Sequence, residues 1–172
     1  MNGLPLHPML VHFPLALAAF LPLLAILALG AHLMRRQSRG LFVAVVAVQL
    51  VLALGAMAAQ RTGQAEEERA EEVVPHSAIE THEEAAEAFI VAAWIAAAVS
   101  LVPALWTTHR GIATAGAAAT VVAALVLLFL GYRVGEAGAE LVYRHGAASA
   151  YVGAGDHPPA RLPRGEDDDD DD

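Results

Sequence analysis

Four apolar stretches, each about twenty residues long, limit what this chain can become more than any other feature. A helix rising about 1.5 Å per residue needs about 20 such residues to cross a bilayer's hydrocarbon core. The windows fall at about Met9–Ala31, Leu41–Gln60, Ala85–Trp106 and Ile112–Val134. None holds an acidic or basic residue near its middle. With 56% hydrophobic residues and a mean hydropathy of +0.49, the chain reads as a membrane protein. The expected fold is all-α, a four-helix transmembrane bundle over residues 1–148. A disordered Pro/Gly linker and acidic tail are expected over 149–172.

The charged residues predict how the bundle lies in the membrane. The connection at 32–40 holds Arg35, Arg36 and Arg39, and the one at 107–111 holds Arg110. Short Arg-rich loops stay on the cytoplasmic side. The connection at 61–84 is longer and acidic, so it and both termini are expected on the outer, periplasmic side. Residues 1–6 carry no basic group, and the positive cluster follows the first span, which predicts an N-out anchor rather than a cleaved signal. The net charge of −9 disfavours a nucleic-acid partner, and none is expected. The lipid bilayer is the expected partner, with other redox-chain subunits or further copies of the chain as additional ones. With no Cys, thiolate metal sites, iron–sulfur ligation and covalent c-type haem attachment are excluded within the chain.

The histidines are unevenly spread. His7, His12, His76, His82, His145 and His157 are expected on the outer side, and only His32 and His109 on the inner. His12 stands about one turn into the first span, His82 one turn before the third apolar stretch, and His145 just after the fourth helix. Helical spacing groups His12 with Leu15, Ala16 and Ala19, and His82 with Ala85, Ala86, Phe89, Ala93 and Ser100. Small residues beside an imidazole leave room for a flat group, and two neutral imidazoles on separate helices can hold a haem iron. The expected axial pair is His12 and His82, with His7 and His145 as substitutes or ligands of a second haem. Arg133 and Arg144 would meet the propionates. A copper or zinc site built from His12, His82, His145 and Glu83, with His7 nearby, is the alternative. Ordinary close packing and backbone hydrogen bonding account for the same residues without any cofactor.

Other features read structurally. Gln49 is the most polar mid-span side chain and should face the interior, where it can find a partner. Pro14 and Pro22 should bend the first span or be tolerated in its first turns. Gly131 and Gly135 form a GxxxG pair suited to close helix approach. Glu66–Glu72 should be a solvated helical face. Thr81 should cap the third helix, with Glu83 and Glu84 in its first turn, and Glu83 or Glu87 could orient a ligand histidine.

The segments "HPMLVHFPLAL", "TGQAEEE", "THEEAAEAF" and "GAELVYRHGA" resemble the bacterial predicted inner-membrane protein family known as domain of unknown function 2231, over residues 5–148. In place of a glycine usual before "ELVY", this chain has Ala139. The resemblance implies four helices in a bacterial cytoplasmic membrane. It also implies that His7, His12, Pro14, His82, Glu83, Tyr143, Arg144, His145 and Gly146 belong to the family's motifs, with no roles attached. Members are sometimes fused to Rieske-type or cytochrome c-type domains, an analogy that suggests a redox setting.

These readings converge on an integral membrane protein of the bacterial inner membrane that binds haem b and carries electrons or serves a redox complex. A copper- or zinc-binding protein and a cofactor-free structural or assembly subunit are the alternatives. Catalysis is not expected: the sequence shows no nucleophile–base pair, no phosphate loop and no mid-membrane charge.

Overall fold

The computed structural model describes residues 6–151. Helix α1 spans Leu6–Leu10, α2 His12–Leu33, α3 Arg39–Glu71, α4 His76–Leu105 and α5 Arg110–Tyr143, and a 3-10 turn follows at Ala147–Tyr151. No strand occurs among the described residues. Helices α1 and α2 form one nearly continuous rod, Leu6–Leu33, and the four rods are each long and apolar enough to cross a membrane. Each long helix packs against its neighbours in the chain, and α2 closes the ring against α5, so α2 and α4 stand diagonally opposite. The start of α1 and the end of α5 lie at one end, the histidine end. The turns holding Arg35–Arg39 and Arg110 lie at the other, the arginine end. His157 and the acidic run 167–172 lie outside the described residues.

The break between α1 and α2 follows from Pro14. Its ring nitrogen cannot donate to the Leu10 carbonyl, and regular helix resumes after Val11. The flanking bonds persist: Val11 N–H donates to His7 O at 3.1 Å and Leu15 N–H to Val11 O at 3.4 Å. Pro22 and Pro103 sit buried inside α2 and α4.

The interior is lined at intervals of seven. Pro14, Leu21 and Ala28 are buried on α2; Phe42, Gln49 and Ala56 on α3. Phe89, Ala96 and Pro103 follow on α4, and Ala117, Ala124 and Gly131 on α5. A seven-residue step falls only about 20° short of two helical turns, so each series keeps to one stripe. Small residues let the backbones approach closely. A Cβ at Gly116 would meet Val102 Cγ1 at 2.8 Å and Pro103 Cδ at 2.9 Å. One at Gly131 would meet Leu15 Cδ2 at 3.3 Å and Phe89 Cε2 at 3.4 Å, whereas at Gly135 nothing lies within 4 Å. Of the GxxxG pair, then, only Gly131 is a contact. Apolar side chains such as Phe20, Leu23, Ile26, Val91, Ile95 and Phe129 face outward, as lipid contact requires.

Three expectations need correction. The acidic connection is mostly helix: α3 runs on to Glu71 and α4 begins at His76, which leaves a tight turn around Pro75. Pro75 adopts extended backbone (φ −58°, ψ 132°) and precedes the first helical residue, so α4 starts well before Thr81. Thr81 is therefore interior to the helix, and its Oγ1 donates to Ser77 O at 2.9 Å rather than capping anything. Gln49 does point inward, fully buried, yet neither amide atom has a hydrogen-bond partner.

Candidate functional site

The interior stripes do not stop where the apolar stretches stop. One step of seven before Pro14 is His7, and one step before Phe89 is His82. One step after Ala56 is Gly63, and one step after Gly131 is Gly138. These four positions bring α1, α3, α4 and α5 together in a collar at the histidine end.

The two imidazoles meet there. Their ring centroids are 6.0 Å apart and their planes stand at 84°, edge to face. The glycines make the room. A Cβ at Gly63 would come 3.0 Å from His7 Nδ1, and one at Gly138 would come 3.2 Å from His82 Cε1. Each ring thus lies against bare backbone, where a side chain would have to push it aside.

Hydrogen bonding sets the state of each ring. His7 Nδ1 lies 2.8 Å from the Ala59 carbonyl. A carbonyl only accepts, so Nδ1 carries the proton and the neutral ring keeps its lone pair on Nε2. Thr62 Oγ1 donates to the same carbonyl at 2.8 Å. His82 Nδ1 is buried with no partner. His82 stands before the apolar part of α4, and burial, then the neighbouring His7, holds it below the ordinary imidazole value. The Val134 carbonyl, a weak acceptor for the ring, opposes that shift only in part. His82 is accordingly held neutral, with an uncommitted nitrogen.

Glu66 ties the collar together. Its Oε1 accepts from Leu6 N–H at 2.7 Å and His7 N–H at 3.4 Å, while Oε2 accepts from Tyr151 Oη at 3.1 Å. One carboxylate thereby caps the start of α1, where the helix dipole favours it, and holds the C-terminal 3-10 turn. Burial, then this hydrogen bond, pushes the Tyr151 hydroxyl up.

The other candidates lie elsewhere. His12 is exposed, and its Nδ1 turns back to the Pro8 carbonyl at 2.6 Å. It stands two residues from buried Pro14, about 200° around the helix, beside exposed Ala16 and Ala19. His82 therefore faces His7 and not His12. His145 is half-buried on a cleft of about 300 Å³ that Pro75, Thr81 and Glu140 also line. His76 pairs with Glu71 at 3.1 Å. Arg133 stands 4.0 Å from Glu136, at the limit of an ion pair, and Arg144, just past the end of α5, donates to Glu140 at 2.6 Å. Burial, then the neighbouring acids, raises the Glu83 carboxyl, with Glu67 the largest contributor. Among the described residues no hydrogen bond joins it to a histidine. Nor do three His, Cys, Asp or Glu side chains gather among them in a group able to hold a metal ion.

Gly63, Gly138, the Ala59 carbonyl and Glu66 were not singled out from the sequence. The signal for the glycines was the step of seven, which extends each inner stripe by one residue past its apolar part. The carbonyl and the carboxylate leave no such trace.

No curated protein and no solved structure matches the chain. A family model does match, over residues 3–150, nearly the whole described bundle and all four collar positions. The chain belongs to the family described as predicted membrane protein, domain of unknown function 2231 (DUF2231).

Proposed function

We propose that this protein binds haem b in a bacterial cytoplasmic membrane and serves as an electron carrier or redox-complex subunit, with His7 and His82 as the axial pair. One observation carries the reading: two imidazoles from opposite sides of the bundle converge at 6.0 Å, and each keeps a ring nitrogen uncommitted. Ligating histidines need a neutral ring, and they commonly anchor the other nitrogen on a carbonyl or carboxylate. Ala59 does this for His7. Burial keeps His82 neutral. When bound, a haem with two imidazole ligands supplies one-electron transfer. The chain's own part is to hold the rings, exclude water and fix their spacing through Gly63 and Gly138. The Arg-rich turns at the opposite end favour an outer-side location for this collar.

A cofactor-free structural subunit is the competing reading, and a specific observation favours it. The rings stand edge to face, so sharing one iron requires one of them to turn. Copper or zinc would need donors beyond this pair.

The deciding measurement is a visible spectrum of protein purified in mild detergent after expression with ample haem. The proposal expects a Soret band and sharp α and β bands on dithionite reduction. His7→Ala and His82→Ala should each abolish them, and His12→Ala should leave them intact. A colourless protein overturns the haem reading. Stoichiometric copper or zinc in that sample would establish the metal alternative, and an empty one the structural role.

A further inference from the structure

The arginine end holds a second site. A cleft of about 590 Å³ opens between the α2–α3 and α4–α5 turns, lined by Arg35, Arg36, Arg39 and Arg110 over a floor that includes His32 and Ser38. No Asp or Glu occurs anywhere in residues 1–65 or 88–135, so nothing nearby in the sequence offsets these four charges. Every ion pair among the described residues lies at the opposite end.

Two helix starts add to the field. Helix α3 begins at Arg39 and α5 at Arg110, and both residues line the cleft. Neither helix has a side-chain cap hydrogen bond or an acid in its first turn. Their first N–H groups therefore lack the carboxylate or hydroxyl acceptors that usually serve them, while the dipoles of two long helices favour an anion here.

The floor is fixed rather than fluid. His32 is buried, with Nδ1 3.3 Å from Ser38 Oγ and Nε2 3.1 Å from Thr114 Oγ1. Arg110 Nη2 donates to the Leu33 carbonyl at 3.2 Å, which anchors that side chain across the turn. Arg35 adopts left-handed backbone (φ 58°), a conformation where glycine would be cheaper. The turn thus keeps a guanidinium at a position whose backbone disfavours it.

Exposed apolar side chains lie within two residues of the cleft's lining in the chain: Leu33, Met34, Leu105, Trp106 and Ile112. A phosphate dissolved in water has no use for such a rim, but a lipid carrying acyl chains does. We infer that this cleft binds the phosphate of an anionic phospholipid, the guanidinium groups and helix starts holding the headgroup and the apolar rim its chains. The site is independent of the histidine collar and of any cofactor there.

The test uses delipidated full-length protein in a neutral detergent. Binding is read by Trp fluorescence and by lipid retention in native mass spectrometry. Dioleoylphosphatidylglycerol, dioleoylphosphatidylcholine and inorganic phosphate are the probes. The expected result is at least tenfold tighter binding of phosphatidylglycerol than of phosphatidylcholine. Arg36→Gln/Arg39→Gln should remove most of that preference, and the control Arg61→Gln/Arg69→Gln at the opposite end should not. Arg35→Gly guards against misfolding, since glycine suits the left-handed backbone: it should preserve or raise thermal stability while weakening phosphatidylglycerol binding severalfold. Equal binding of the two lipids, or equal loss in the control, overturns the site. Inorganic phosphate matching phosphatidylglycerol would overturn the lipid as its ligand.

Discussion

A ring pressed against bare backbone is positioned by what the neighbouring residue lacks. Alanine at 138 would gain about 1 kcal/mol in helix propensity over glycine. It would also bring a Cβ to 3.2 Å from His82 Cε1, and overpacking of this kind costs about 1–3 kcal/mol. The two effects separate in a double-mutant cycle. Gly138→Ala should stabilise the His82→Ala background by about 1 kcal/mol, through propensity alone. In the native background it should be neutral or destabilising. Equal effects in both backgrounds, measured by thermal unfolding in detergent, would show that ring and glycine do not constrain each other. Gln49 presents the opposite case, a side chain that fills its space but satisfies nothing. Its amide is fully buried without a partner, a condition that costs about 1–3 kcal/mol. Gln49→Leu, close to it in volume, should therefore raise the unfolding temperature. A fall would reveal an interior partner for the amide. That Gln49 faces inward was legible from its place in an apolar helix. That nothing meets it was not, because partners come from other helices.

At the scale of the helix, the seven-residue stripe decides which histidines can converge. His7 and His82 lie on the inner stripes of their rods; His12 lies about 200° from one. Choosing by depth in the membrane favoured His12, which sits further into the first span. Choosing by phase would have favoured His7, and phase determines what a side chain faces. The four spans were legible because apolar length alone defines them. The true helix ends were not: Glu66–Glu72 read as a helical face, but the drop in hydropathy after Gln60 does not say that this face continues α3 without a break. Phase also ranks the glycines. Gly116→Ala would place a Cβ 2.8 Å from Val102 Cγ1 at the α4–α5 contact and should destabilise by about 1–3 kcal/mol. Gly135→Ala, with nothing within 4 Å, should stabilise by about 0.5–1 kcal/mol. If Gly116→Ala also raises the unfolding midpoint, propensity outweighs packing along α5.

Across the whole molecule, the acids and the His82 imidazole share one end and the arginines of the two short turns the other, so the resolved shifts that act on folding lie at the histidine end. An ordinary imidazole titrates near pH 6.5. Burial and the adjacent His7 hold His82 below that. Well above pH 6.5 the ring is neutral in both the folded and the unfolded chain, and it contributes no pH dependence. Below that point the unfolded chain takes up the proton first, so folding stability falls until the folded ring also titrates. Glu83 acts in the opposite sense. A carboxyl raised by burial and by Glu67 and Glu87 favours the folded state as pH drops, although solvent screens this partly exposed group. His82 should dominate just below neutrality, because its unfolded-state titration begins there. The unfolding temperature of the native protein should therefore decline from about pH 7 to about pH 5, and His82→Gln should flatten that decline. Any ligand that takes the lone pair of His82 would steepen it, since protons would then compete with the ligand as well as with the fold. An unaltered slope in His82→Gln would assign the titration to another group, and His82 would lose its claim to be a buried neutral base.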